Sequence, residues 1–261
     1  MTMNYQRPGS VADAARLGGP DARLLAGGQS LLPSMRLGLV TPEALVDLSG
    51  IAELVGIAND GKSVTIGAMT NHATVAASAD VRRLIPALAQ LAGHIGDRQV
   101  RNRGTIGGSL ANNDPAACYP AAVLGLGATV RTNTRQIAAD AFFKGLYETA
   151  LNPGEIIVSV TFPVPQAAAY VKFNQPASRF SIVGVFVART ASGVRVAVTG
   201  AGPVVFRVKA LEDALSRSFS PGSCDGITIP AAGLNNDLHG SAEYRAHLIP
   251  VLAKQAVASA G

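Results

Sequence analysis

A chain of 261 residues with 48% hydrophobic and 15% charged side chains can bury a substantial core, in one large domain or two modest ones, which excludes a disordered chain. Its net charge of +5 is spread over scattered arginines, clustered only at Arg98, Arg101 and Arg103. With no Trp and 5% aromatics it lacks the dense basic stripe and stacking platforms of a nucleic-acid binder. No apolar run is long enough to span a bilayer, and the N-terminal stretch lacks the apolar centre of a secretory signal, so a cytoplasmic protein is expected. The two cysteines, Cys118 and Cys224, form no CxxC pair and fall short of the four ligands an iron–sulfur cluster needs.

Taken in chain order, Ser10-Val11-Ala12-Asp13 has the cap-plus-acid pattern of a helix start. Val11, Ala14, Ala15 and Leu17 form its apolar face, and Gly18-Gly19 stops it. Residues 23–26 read as a short buried strand running into Gly27-Gly28, and 44–48 as another. Ser63 to Ala68 alternates with period two. A short helix is expected from Asn71 to Ala79, capped by Thr70 or Asn71. Val81, Leu84, Ile85, Leu88, Leu91 and Ile95 predict one amphipathic helix over 81–95, with Pro86 in its first turns. Segments of small residues fill 104–128, and 128–132 and 156–162 are strands. Pro163-Val164-Pro165 marks a boundary. Beyond it, 182–189 and 194–199 predict a hairpin around Ala191-Ser192-Gly193, and 208–215 a helix. A last helix follows Ser241 from 242 to about 258, with a kink or late restart at Pro250. Strands followed by helices imply a separate α+β domain from about residue 167.

Two glycine-rich segments carry candidate chemistry. In the first, 25–33, Gly27-Gly28 after a strand lets consecutive N–H groups face a ligand, a nest that suits anionic oxygens, with Gln29 and Ser30 as further donors. In the second, 103–115, another Gly-Gly is surrounded by Thr105, Ser109, Asn112, Asn113 and Asp114, whose hydroxyls and N–H groups suit phosphate and ribityl oxygens; Asp114 is placed to cap a following helix. Each taken alone also reads as an ordinary tight turn, and neither is a Rossmann or Walker fingerprint. Together they suit a long dinucleotide whose pyrophosphate is gripped between two loops.

AGGQSLLPSMRLG (26–38), TIGAMTNHA (65–73), IGDRQVRNRGTIGGSLANNDPAA (95–117), ALNPGEIIVSVTFP (150–163), KFNQPASRFSIVGV (172–185) and SAEYRAHLIPVLAKQA (241–256) occur in this order. The chain thereby closely resembles, over almost its whole length, the medium, FAD-binding subunit of the xanthine dehydrogenase and carbon monoxide dehydrogenase family of molybdenum hydroxylases.

The resemblance implies an α+β fold: a vanillyl-alcohol-oxidase (PCMH)-type FAD-binding domain over 1–165, in two subdomains of about 1–57 and 58–165, then a smaller C-terminal α+β domain over 167–261. It implies that Ala26, Gly27, Gly28, Gln29, Ser30 and Leu31 form one cofactor loop, and Thr105, Ile106, Gly107, Gly108 and Ser109 the other. Asp114, Ile157 and Lys172 fall among further flavin contacts. Phe180 stands by the isoalloxazine ring, where relatives often carry Tyr or an aliphatic residue. Cys118 stands where many relatives have an Asp on the ribose side of FAD, which puts one hydrogen bond in doubt. His72 is expected to stabilise a helix start or pack near the flavin, and Asp97 to pair with an arginine. Arg98, Arg101 and Arg103 either favour a reduced anionic flavin, face a partner, or form a solvated loop.

The implied function is electron transfer through FAD in this chain. A large partner holds the molybdenum cofactor, and a small partner holds two [2Fe–2S] clusters, in a dimer of heterotrimers with no membrane span. No catalytic acid or base and no metal ligand is expected here. Two other readings stay open: a free-standing flavoenzyme of the same superfamily, and a scaffold that kept the fold and lost the cofactor.

Overall fold

In a computed structural model, which describes residues 3–260, the chain lays down three main sheets in succession. The first is parallel. β1 (Asn4–Gln6), α1 (Val11–Leu17), β2 (Ala22–Leu25), α2 (Leu31–Arg36) and β3 (Ala44–Asp47) alternate, because parallel strands need helical crossovers. The Ser10 hydroxyl accepts from the Asp13 N–H and donates to its carboxylate at 2.6 Å, the reciprocal cap that the sequence pattern predicts. Val11, Ala14, Val46, Leu48, Ile51 and Leu54 pack under this sheet with Ile156 and Val158, at the start of a much later strand.

The second sheet is antiparallel, in the order β4-β5-β10-β6-β7. β4 (Ile57–Asn59) and β5 (Ser63–Gly67) lead into six helices: α3 (His72–Ala77), α4 (Ala79–Leu84), α5 (Pro86–Gly93), α6 (Arg98–Arg103), α7 (Ile106–Asn112) and α8 (Tyr119–Gly125). Then come β6 (Thr129–Thr132), β7 (Gln136–Ala138), α9 (Ala139–Phe142), the small hairpin β8 (Phe143–Gly145) and β9 (Glu148–Thr149), and finally β10 (Ile157–Pro163). The single helix expected over 81–95 is two. Pro86 disfavours helical backbone at Ile85, which sits at φ −140°, and opens α5 where its missing N–H costs nothing. The small-residue stretch 104–128 folds into α7 and α8, and every residue of α8 is buried. α6 was not expected, since its RQVRNR sequence has no apolar periodicity. Its start is set by Asp97, whose carboxylate accepts from Val100 N–H at 2.8 Å instead of pairing with an arginine.

The third sheet, β11 (Ala167–Asn174), β12 (Ser181–Thr190), β13 (Gly193–Thr199) and β14 (Phe206–Arg207), contains the expected hairpin at 191–193. Tyr170 and Phe186 on one face join the core that α5 and α8 share with the second sheet. Val183, Val185 and Val187 on the other face pack with residues of α10 (Lys209–Arg217) and α11 (Ala242–Ser259). α11 runs unbroken through Pro250, where a kink or restart was expected. Leu248, Ile249, Leu252, Ala253 and Ala256 are buried on both sides of that proline, and their burial outweighs the local cost of about 3 kcal/mol. The arrangement of helices with mostly antiparallel sheets is the expected α+β class.

Candidate functional site

A cavity of about 560 Å³ opens where the three sheets meet. Its wall takes Leu24 from β2, Ala68 and Met69 after β5, Ile157 from β10, much of α7, and Lys172 from β11. The loop after β2 presents Ala26, Gly27, Gly28, Gln29, Ser30 and Leu31 to it. Gly28 is at φ +75°, a left-handed conformation open to glycine. A Cβ on Gly27 would lie 2.0 Å from the Arg103 carbonyl oxygen, so only glycine lets this loop seat against residues 103–104. The N–H groups of Gly28, Gln29 and Ser30 have no acceptor among the described residues, and the Ser30 hydroxyl caps nothing. Three consecutive N–H groups without an acceptor are therefore on loop residues that line the cavity. The Gln29 side chain folds back, donating to the Gly27 carbonyl at 3.2 Å.

The second Gly-Gly works differently from the expectation. Thr105 caps α7 by accepting from Gly108 N–H at 3.2 Å. Ile106, Gly107 and Ser109 donate to the carbonyls of Thr70, Ala68 and Thr105 at 3.2, 2.8 and 3.0 Å. No N–H over 106–109 is left for a ligand. What this segment offers is a wall without side chains at Gly107 and Gly108, plus the Ser109 hydroxyl. Ile106 does not line the cavity; it is fully buried, facing the core with Leu110. The two glycine segments do meet, since a Cβ on Gly108 would lie 3.2 Å from that of Ala26.

At the end nearest the third sheet, Cys118, Lys172 and Phe180 share the wall. Lys172 Nζ donates to the carbonyls of His94 and Arg179, both at 2.8 Å, and lies 3.5 Å from Cys118 Sγ. Cys118 is buried, with Sγ 3.7 Å from Ser181 Oγ. Ser181 also pairs with the Tyr170 hydroxyl at 3.0 Å. Burial pushes the Tyr170 hydroxyl well above its ordinary range. Phe180, 47% exposed, sits at the rim. Asp114 lines the cavity but caps no helix: its carboxylate accepts from Ala116 N–H at 2.8 Å, closing a turn, and α8 starts only after Cys118. Burial raises its pKa.

Three further residues complete the wall; His72 was expected near the flavin, whereas Tyr147 and Glu155 had no local signal. His72 opens α3, is 4% exposed, and has its pKa lowered to about 4 by burial and by Arg101. Tyr147 projects from the β8–β9 turn at φ +55°. Glu155 accepts from Arg135 at 2.9 Å, and from Asn152 N–H, Thr132 and Thr134 at 2.7–3.0 Å. The Arg135 bonds hold its carboxyl down to about 2 against the opposing effect of burial. Of the arginine cluster, Arg101 donates to the Ile95 and Gly96 carbonyls at 3.0 Å. Arg98 and Arg103 are exposed and form no ion pair among the described residues. Those residues also contain no cluster of His, Cys, Asp or Glu that would hold a metal, and no helix long and apolar enough to cross a membrane.

Comparison with known proteins places this geometry. Residues 1–165 match the family model described as the FAD binding domain in molybdopterin dehydrogenase. The chain is 36% identical to the nicotine 6-hydroxylase medium subunit of Paenarthrobacter nicotinovorans, over 99% of this chain and 97% of that one. It is 35% identical to the carbon monoxide dehydrogenase medium chain of Afipia carboxidovorans, over 98% and 96%. Among solved structures, a Cu,Mo-CO dehydrogenase chain superposes with a TM-score of 0.90 at 34% identity, covering 98% of this chain and 96% of that one. A chain of quinoline 2-oxidoreductase from Pseudomonas putida 86 superposes with a TM-score of 0.88 at 28% identity, covering 99% and 96%. The chain therefore belongs to the FAD-binding medium-subunit family of the molybdopterin dehydrogenases, within the oxidoreductases.

Proposed function

We propose that this chain is the FAD-binding electron-transfer subunit of a heteromeric molybdenum hydroxylase, cytoplasmic and assembled as a dimer of heterotrimers. A large partner carries the molybdenum cofactor, and a small partner carries two [2Fe–2S] clusters. The chain divides into the cofactor domain over 1–165, with subdomains of about 1–57 and 58–165, and the C-terminal domain over 167–261. Bound FAD supplies the redox chemistry, taking electrons from the partner's clusters and passing them to a terminal acceptor.

The observation that carries this reading is the run of free N–H groups at Gly28, Gln29 and Ser30 in a cavity shared by all three sheets. These donors and the Ser30 hydroxyl hold the pyrophosphate. Ser109 serves the ribityl hydroxyls, with Gly107 and Gly108 allowing close approach. Ile157, Leu24 and Phe180 give the flavin ring an apolar seat. Lys172, fixed by two carbonyls, places a cation on the wall beside Cys118. The chain's residues bind, orient and exclude water; none is asked to carry a proton through the reaction.

Absorbance spectra test this on the chain purified alone and co-purified with its native partners. Oxidised-flavin bands, with iron–sulfur absorbance and larger subunits only in the co-purified sample, are the expected result. A flavin-free spectrum in both samples would overturn it, and turnover of NAD(P)H by the chain alone would transfer the case to a free-standing flavoenzyme.

A further inference from the structure

Of the four histidines, His72 is the one the fold buries. It lines the cavity, yet neither ring nitrogen has a hydrogen-bond partner among the described residues. Nδ1 is sealed from solvent. Nε2 faces Gly104, where a Cβ would lie 2.6 Å from it. The same residue, Gly104, is where Gly27 packs: a Cβ on Gly27 would sit 2.8 Å from the Gly104 Cα. The imidazole and the anion-binding nest therefore flank one backbone segment from two sides.

Buried polar atoms without partners are uncommon and ask for an explanation. A second one lies beside the first. The Tyr119 hydroxyl is buried and unpartnered, and its ring packs on His72 at 5.3 Å between centroids. No hydrogen bond joins the two, so Tyr119 holds the imidazole by ring packing alone. Nδ1 is thus sealed in the packing against Tyr119, and Nε2 is the ring nitrogen that a ligand in the cavity can reach.

Resting on the FAD reading above, we propose that His72 is a cofactor-contacting residue. It donates from Nε2 to an oxygen of the ribityl–pyrophosphate stretch of FAD, and Tyr119 is the positioning residue whose ring holds the imidazole in place. Burial and Arg101 keep the imidazole uncharged at neutral pH, so it acts as a hydrogen-bond donor and not as a counter-ion.

The test titrates FAD into the cofactor-free full chain, followed by flavin fluorescence, alongside the melting temperature of the cofactor-free protein. His72→Phe is expected to weaken FAD at least tenfold while leaving that melting temperature unchanged or higher, because a buried orphan is removed. His72→Gln, which restores a donor, recovers most of the affinity, and Tyr119→Phe, which keeps the packed ring, leaves it within about threefold. Unchanged FAD affinity in His72→Phe overturns the inference. So does a melting temperature that falls with affinity while His72→Gln rescues neither, which marks a packing role. Should His72→Phe not fold, ¹⁵N-histidine spectra of the unaltered chain decide: the His72 Nε2–H resonance moves on FAD addition, or the inference fails. A wild-type chain that takes up no FAD overturns both the functional reading and this one; FAD uptake unaffected by His72 overturns this one alone.

Discussion

Gly27 shows how one missing side chain shapes the site. With a carbonyl oxygen 2.0 Å from where its Cβ would be, Gly27→Ala forces the loop off residues 103–104. The expected cost is about 1–3 kcal/mol of stability, as for other overpacked sites. The flavin-to-protein absorbance ratio of the purified chain should fall below half the wild-type value. Cys118→Ser makes the opposite case. The thiol accepts only weakly from Lys172 and Ser181, so its replacement should leave FAD affinity within about threefold by fluorescence titration. The sequence singled out Gly27, Gly28 and Ser30 because two glycines after a strand can turn consecutive N–H groups outward, although an ordinary tight turn has the same pattern. It did not reveal that the N–H groups of Ile106 and Gly107 are already taken. Their acceptors, Thr70 and Ala68, lie far away in sequence, and no local pattern encodes that pairing.

Among the elements, the two prolines inside apolar helical patterns had different fates. Pro86 splits its helix, while Pro250 is carried through α11. The difference is support: α11 lies along the third sheet with buried residues on both sides of Pro250, whereas α4 and α5 are short, α4 capped by Ser78 and α5 opening on Pro86 without a side-chain cap. Pro250→Ala restores a backbone donor and removes a ring clash, and should stabilise the chain by about 2 kcal/mol in urea denaturation. Strands with clean alternation, such as β5, and continuous apolar runs, such as β12, were readable from period alone. α6 was not, because a helix of charged residues announces itself only by its cap.

On the scale of the whole molecule, Glu155 joins parts far apart in the chain. Its carboxylate binds the β6–β7 turn through Thr132, Thr134 and Arg135, and stands next to Ile156, which packs in the core of the first sheet. Because its pKa is depressed in the folded state, from 4.5 to about 2, the stability it contributes is present above pH 4.5 and is lost as pH falls toward 2. Melting temperature against pH should show that loss. Glu155→Gln should flatten the slope and lower stability at neutral pH by about 2 kcal/mol, the scale of hydrogen bonds to a buried charge.

The cavity wall draws on all three sheets, and this has a consequence for the life of the protein in the cell. A ligand seated there binds only when the three are docked together, so its binding energy opposes their separation. With free FAD at a hundred times its dissociation constant, that linkage amounts to about 2.7 kcal/mol. Pulse proteolysis should find the chain markedly more resistant in the presence of FAD than in its absence. Turnover of the subunit would then follow flavin supply, and quality-control proteases would clear unloaded copies before they reach assembly.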